Sequence, residues 1–145
     1  MPVLVISSEH AQQLRAITIG SFTSISLHPP VISVSLTRMG RMNKIVSCSK
    51  TFTLHFMSHD QSDLARSFVK GIDSFDYGLQ ADPNDPEFHG LEGSLAHIKC
   101  HVRESLDVGD HTVHFANVVD SVVSKEPCIP LVYHNQTYAK LQPVT

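Results

Sequence analysis

The chain has 145 residues, 41% of them hydrophobic, and a net charge of −3 with its 10 histidines neutral. That suffices for one domain with a sizeable core, yet no run approaches the roughly 20 apolar residues of a membrane-spanning helix. A charged fraction of 17% disfavours disorder and coiled coil, and the acidic balance gives no electrostatic footprint for nucleic acid or an anionic membrane.

β-branched runs separated by turn residues dominate the chain. Residues 3–6, Val-Leu-Val-Ile, are apolar throughout, the pattern of a strand buried on both faces and not of a signal peptide. Residues 15–19 alternate as a second strand, and His28-Pro29-Pro30 makes a stiff break. Residues 31–36 then form a strand with one small-residue face. Met42, Ile45 and Val46 have helical spacing between Arg41 and Ser49. After a strand at 52–57, Ser58-His59-Asp60-Gln61 has the S-x-x-Q form of a capping box. It opens a helix buried through Leu64, Ala65 and Phe68, with Lys70-Gly71 as its stop. Residues 72–90 are too rich in breakers for regular structure and read as a binding loop or lid. Strands at 94–102, 111–119, 129–133 and 137–141 follow, the last two as a hairpin turning at Asn135. Together they predict a mainly β chain, a mostly antiparallel barrel with a few short α-helices packed on it.

The chemistry-bearing residues exclude more than they assert. Cys48, Cys100 and Cys128 are odd in number and far apart, so neither a disulfide framework nor a CxxC site follows, and an intracellular, cytoplasmic compartment is expected. On an extended strand His97, Lys99 and His101 share one face while Ile98, Cys100 and Val102 share the other. His111 and His114 likewise diverge, and there is no HExxH, so no metal site is expected. No G-x-S-x-G elbow and no phosphate-binding glycine loop occurs. One segment is informative. Residues 18–27, Thr-Ile-Gly-Ser-Phe-Thr-Ser-Ile-Ser-Leu, offer hydroxyls and backbone N–H groups that suit a phosphate or a polar heteroaromatic edge, if they form a turn.

That segment carries a resemblance. Residues 16–31, AITIGSFTSISLHPPV, are similar to the signature G-M-T-V-S-S-F-T-S-V-S-L-D-P-P-L of the flavin reductase-like, FMN-binding split-barrel family. Phe52-Thr53-Leu54-His55-Phe56-Met57 with Asp60-Gln61 resembles F-A-V-N-V-L-x-x-D-Q. Further on, residues 93–100, GSLAHIKC, resemble G-A-L-A-W-L-E-C; Gly109-Asp110-His111-Thr112-Val113 resembles G-D-H-T-I; and Pro130-Leu131-Val132-Tyr133 resembles P-L-L-Y.

The resemblance implies a homodimeric, antiparallel Greek-key split β-barrel with a few short peripheral α-helices that reduces FMN, or FAD, with NADH or NADPH, and a monooxygenase partner that receives the reduced flavin. It places Thr18, Ser21, Phe22, Thr23 and Ser24 along the flavin ring and ribityl chain. Leu36, Thr37 and Arg38 fall near the phosphate, and Lys44 joins them by charge and proximity. His55, Phe56 and Met57 fall where the family's strand passes the flavin, and His111 matches the histidine associated with nicotinamide. The family's N-R-S-S-x-T reads Thr37-Arg38-Met39-Gly40-Arg41-Met42 here, which leaves Arg38, Arg41 and Lys44 to bind phosphate. No side chain is expected to act as a catalytic acid or base, because the cofactors carry hydride transfer themselves. A flavin-binding module without reductase activity, an oxidase acting through bound flavin, and a histidine-ligated haem barrel are the alternatives.

Overall fold

The computed structural model describes residues 1–144. Seven strands make the main sheet: β1 (Leu4–His10), β2 (Gln13–Ile19), β3 (Phe22–Leu27), β4 (Pro30–Thr37), β5 (Thr51–Phe56), β8 (Ala96–Val108) and β9 (His111–Val123). All pair antiparallel in the order β2-β1-β5-β8-β9-β4-β3. The two edge strands, β2 and β3, are consecutive in the chain and separated only by Gly20 and Ser21. The sheet must therefore curl until its edges meet at that corner, which makes it a barrel.

The apolar run in β1 has two destinations. Leu4 and Ile6 point into the barrel with Val34, Leu36, Phe52, Leu54, Cys100 and Ala116. Val3 and Val5 point outward into a second cluster with Leu14, Ala16, Met57, Ala65, Phe68 and Leu131. Helix α1 (Arg41–Ser49) supplies Met42 and Val46 to the first cluster, and α2 (Ser62–Phe68) supplies Ala65 and Phe68 to the second. A strand sandwiched this way cannot alternate with polar residues. Each such buried Leu, Ile or Phe contributes about 1.5–3 kcal/mol.

The predicted capping box forms, the Ser58 N–H donating to Gln61 Oε1 at 2.8 Å. It opens a short 3-10 turn (His59–Gln61) before α2, and the helix ends at Phe68, ahead of the expected stop. The C-terminal hairpin of β10 (Leu131–His134) and β11 (Thr137–Lys140) is present. Two expectations need correction. Residues 22–27 are an edge strand, and only Gly20-Ser21 bends, because β3 finds partners in β4 from Phe22 to Leu27. Residues 72–90 hold a small hairpin, β6 (Leu79–Ala81) with β7 (His89–Leu91).

That loop is pinned. Lys99, 6% exposed, reaches Asp82 at 2.7 Å, with Asp85 and Asp120 both at 3.6 Å. The His89 N–H donates to Thr53 Oγ1 at 3.1 Å. The loop thus covers the outer face of β1 and β5, where Ser7, Thr53 and His55 lie fully buried.

Candidate functional site

The Gly20-Ser21 corner separates two adjoining clefts. The larger, about 640 Å³, is lined by Thr18, Ile19 and Gly20 together with Met1, Arg66, Val69, Tyr133 and Tyr138. Its neighbour, about 440 Å³, shares Met1, Thr18, Ile19, Gly20 and Val69 and adds Ser21, Ser35, Leu36, Thr37 and His111. Their chemistry differs. Tyr133 and Tyr138 meet edge-on at 5.2 Å, and the Arg66 guanidinium lies 5.0 Å over the Tyr138 ring, giving the first cleft an aromatic, cationic wall. The second presents hydroxyls and an imidazole.

Thr37 and His111 are neighbours because β4 and β9 pair them directly. His111 is half exposed and its Nδ1 donates to Asp110 Oδ1 at 2.7 Å, which leaves Nε2 free to meet a ligand. The same hydrogen bond holds the Asp110 carboxyl below the usual carboxylate range, with the charge of His111 adding to it. Arg38 follows Thr37, and its backbone N–H donates to the Asp110 carbonyl at 2.9 Å. Its Nε faces Asp107 at 3.5 Å, and no other carboxylate among the described residues lies within 4 Å of its guanidinium. Helix α1 starts just beyond at Gly40, with no side-chain cap and no acidic residue in its first turn. Its first N–H groups are open to an anion.

Of the thirteen residues expected at the site, Thr18, Ser21, Leu36, Thr37 and His111 line one cleft, and Arg38 adjoins it. Two hydroxyls are already engaged. Thr18 Oγ1 donates to the Ala65 carbonyl at 2.6 Å, and Ser21 Oγ donates to the Ser35 carbonyl at 2.7 Å while accepting its N–H at 3.1 Å. Thr23 and Ser24 lie exposed on β3, and Lys44 in the first turn of α1; none of the three lines either cleft. Phe22 packs edge-on against Phe56 at 5.3 Å, which turns both toward the barrel core. Arg41 is drawn to Asp73 at 3.1 Å.

His55 and Met57 are corrected outright, since both are interior and line neither cleft. Met57 belongs to the second core cluster. His55 bonds Ser7 Oγ through Nε2 at 2.9 Å, beneath the pinned loop, where desolvation, then His89 and His97, hold it well below its ordinary value. The expected separation of His97 from Cys100 holds, Cys100 lying in the barrel core. No cluster of three metal-ligating side chains occurs among the described residues. Met1, Val69 and Arg66 had no signal as cleft residues, because they arrive from remote elements.

A family profile described as flavin reductase like domain matches residues 1–142. The chain belongs to this family. Among its flavin reductase relatives is the reductase subunit HsaB of a flavin-dependent monooxygenase from Mycobacterium tuberculosis. That protein is 29% identical, with 97% of this chain and 76% of the relative covered. An NADH-dependent flavin reductase from Rhodococcus sp is 27% identical over 97% of this chain and 77% of its own. The styrene monooxygenase flavin reductase of Pseudomonas putida S12 superposes with a TM-score of 0.86 at 27% identity, covering 99% of this chain and 91% of that one. The split-barrel architecture is therefore the family's own.

Proposed function

We propose that this chain is an NAD(P)H-dependent flavin reductase that takes hydride from the nicotinamide of NADH, or NADPH, to FMN or FAD. The observation that carries this is the cleft in which the Gly20-Ser21 corner, Thr37 and His111 meet next to Arg38. Relatives named as NADH-dependent flavin, FMN and FAD reductases support it.

The donor set fits such a ligand. A flavin phosphate is dianionic, and the terminal nitrogens of Arg38 with the uncapped start of α1 supply charge and N–H donors. Bound flavin supplies the hydride-accepting ring, so the chain needs to bind and orient and does not need an acid–base pair. Thr37 and the backbone at the corner offer hydrogen bonds to the ring edge and ribityl chain. His111, aimed by Asp110, presents Nε2 to the nicotinamide carboxamide. Ile19, Val69 and Leu36 give the cleft an apolar wall against which a flavin ring would pack.

A homodimer belongs to the same proposal. Val119 and Val123 on β9 are exposed to 49% and 71%, apolar surface that a second copy would cover. A monooxygenase receiving reduced flavin is proposed as the partner, on the strength of relatives that are reductase components of monooxygenases. No helix among the described residues is long and apolar enough to cross a membrane. Anaerobic stopped-flow mixing of the FMN-loaded protein with NADH tests the proposal. Bleaching of the flavin band is expected, and no bleaching at millimolar NADH refutes it.

A further inference from the structure

Behind Arg38 lies a polar network that hydride transfer itself does not use. Asn43, in the first turn of α1, is buried. Its Nδ2 donates to the Arg38 carbonyl at 3.1 Å and to Thr112 Oγ1 at 3.1 Å. A flipped amide would set Oδ1 against that carbonyl, two acceptors face to face, so the orientation is determined. Oδ1 must then accept, and the group facing it at 2.6 Å is His114 Nε2. His114 therefore carries its proton on Nε2, and its Nδ1 accepts from Ser105 Oγ at 2.7 Å. Thr112, having accepted from Asn43, donates to Asp107 Oδ1 at 2.7 Å. Asp107 Oδ2 lies 3.5 Å from Arg38 Nε. The donor chain begins at Ser105, passes through His114 and Asn43, and holds Arg38 at both its carbonyl and its guanidinium. Each donor meets one acceptor without conflict.

The network is built into the fold. His114 and Thr112 are buried on β9, Ser105 comes from the facing β8, and Asn43 from the helix that follows Arg38. Burial, with Lys50 nearby, holds His114 below its ordinary value and keeps it neutral at neutral pH. A buried amide with all its hydrogen bonds made has one orientation, so it transmits position where an apolar residue would not.

We propose that Asn43, oriented by His114, is a positioning residue that sets Arg38 for the phosphate of the flavin mononucleotide, a role resting on Arg38 as the phosphate ligand. The consequence is selective. Breaking the network lowers affinity for phosphorylated flavin and leaves riboflavin, which lacks the phosphate, unchanged.

Equilibrium binding of FMN and riboflavin, followed by flavin fluorescence, tests this in five single variants and one double variant. Arg38→Ala is expected to cost FMN about tenfold or more and riboflavin nothing, the scale of a lost charge-assisted hydrogen bond. Asn43→Ala should lower the FMN-to-riboflavin affinity ratio in the same direction, and add nothing once Arg38 is alanine. Thr112→Val, which removes the Asp107 arm and one of the two acceptors of Asn43 but leaves its bond to the Arg38 carbonyl, should give a smaller loss of the same kind. His114→Leu should lower the ratio, and His114→Gln, which restores an N–H donor, should recover it.

If Asn43→Ala does not fold, Thr112→Val and the His114 pair decide. Equal losses for both flavins, additivity with Arg38→Ala, or no recovery by glutamine overturns the positioning role while Arg38 stands. An unchanged ratio in Arg38→Ala instead removes the phosphate site itself, and the positioning role with it.

Discussion

Replacing Lys99 by methionine asks what holds the loop between α2 and β8 against the barrel. Methionine keeps most of the stem, so the change removes the ammonium, with its contact to the Phe88 ring at 5.6 Å, from among three carboxylates. Asp82, at 2.7 Å and 17% exposed, makes the strong contact, and a charge-assisted hydrogen bond of that kind is worth about 1.5–3 kcal/mol. Asp85 and Asp120, at 3.6 Å with 43% and 59% exposure, are screened by water and add less than about 1 kcal/mol each. The expected loss is about 2–4 kcal/mol at low salt, a fall in Tm of roughly 10 °C.

Urea unfolding at matched protein concentration, in about 0.01 M and about 1 M salt, checks this, because the Debye length shrinks from about 30 to 3 Å. High salt should narrow the gap between variant and wild type. In the wild type the hydrogen bond from Lys99 holds the Asp82 carboxyl below its usual range. That stability is therefore present above the ordinary carboxylate value and lost as pH falls through the lowered one. The variant leaves three carboxylates in mutual repulsion, so its deficit should shrink as acid neutralises them. A deficit under about 0.5 kcal/mol, or one that grows with acid, would refute the clamp.

Two further outcomes follow from buried groups. His55, His89, His97 and His114 are all held below the ordinary histidine value of 6.5, each chiefly by desolvation. The unfolded chain then takes up protons first, so stability is complete above 6.5 and is lost as pH falls from there toward the lowered values. Urea midpoints measured at pH values on either side of that window should be lower on the acid side; a level or rising midpoint contradicts the burial of neutral rings. Gly71 has φ +90° and a Cβ there would run into the Arg15 guanidinium, whose Nη1 donates to Asp73 and whose Nη2 donates to the Lys70 carbonyl. Gly71→Ala should cost about 2–3 kcal/mol by thermal unfolding, whereas Gly90→Ala, which meets open space, should cost far less.

Where periodicity reports a local event, the chain was legible. The all-apolar run at the start of β1 announced a strand buried on both faces, and the barrel core and the second cluster are those two faces. Ser58 and Gln61 announced a helix start because both ends of a capping box lie within one turn. The alternation in β8 correctly kept His97 and Cys100 on opposite faces. The hydroxyl-rich segment misled because serine and threonine suit a turn and an exposed edge strand equally well. Only the pairing of β3 with β4 chooses between them. His55 misled for a related reason: a histidine on a strand looks available until the loop that buries it is in place.

Composition, alternation and motif order therefore revealed most of the strands, the helix positions and the family, since each depends on residues near in sequence, while β3 and the β6–β7 hairpin escaped them. Which hydroxyls line the cleft and which are already hydrogen-bonded was decided by folding alone. Ser21 spends its oxygen on the backbone of Ser35, and Asn43 meets His114 across 71 positions of chain. Hydrogen bonds of that span exist only once the sheet has curled and brought remote donors to one acceptor, so no local pattern can record them.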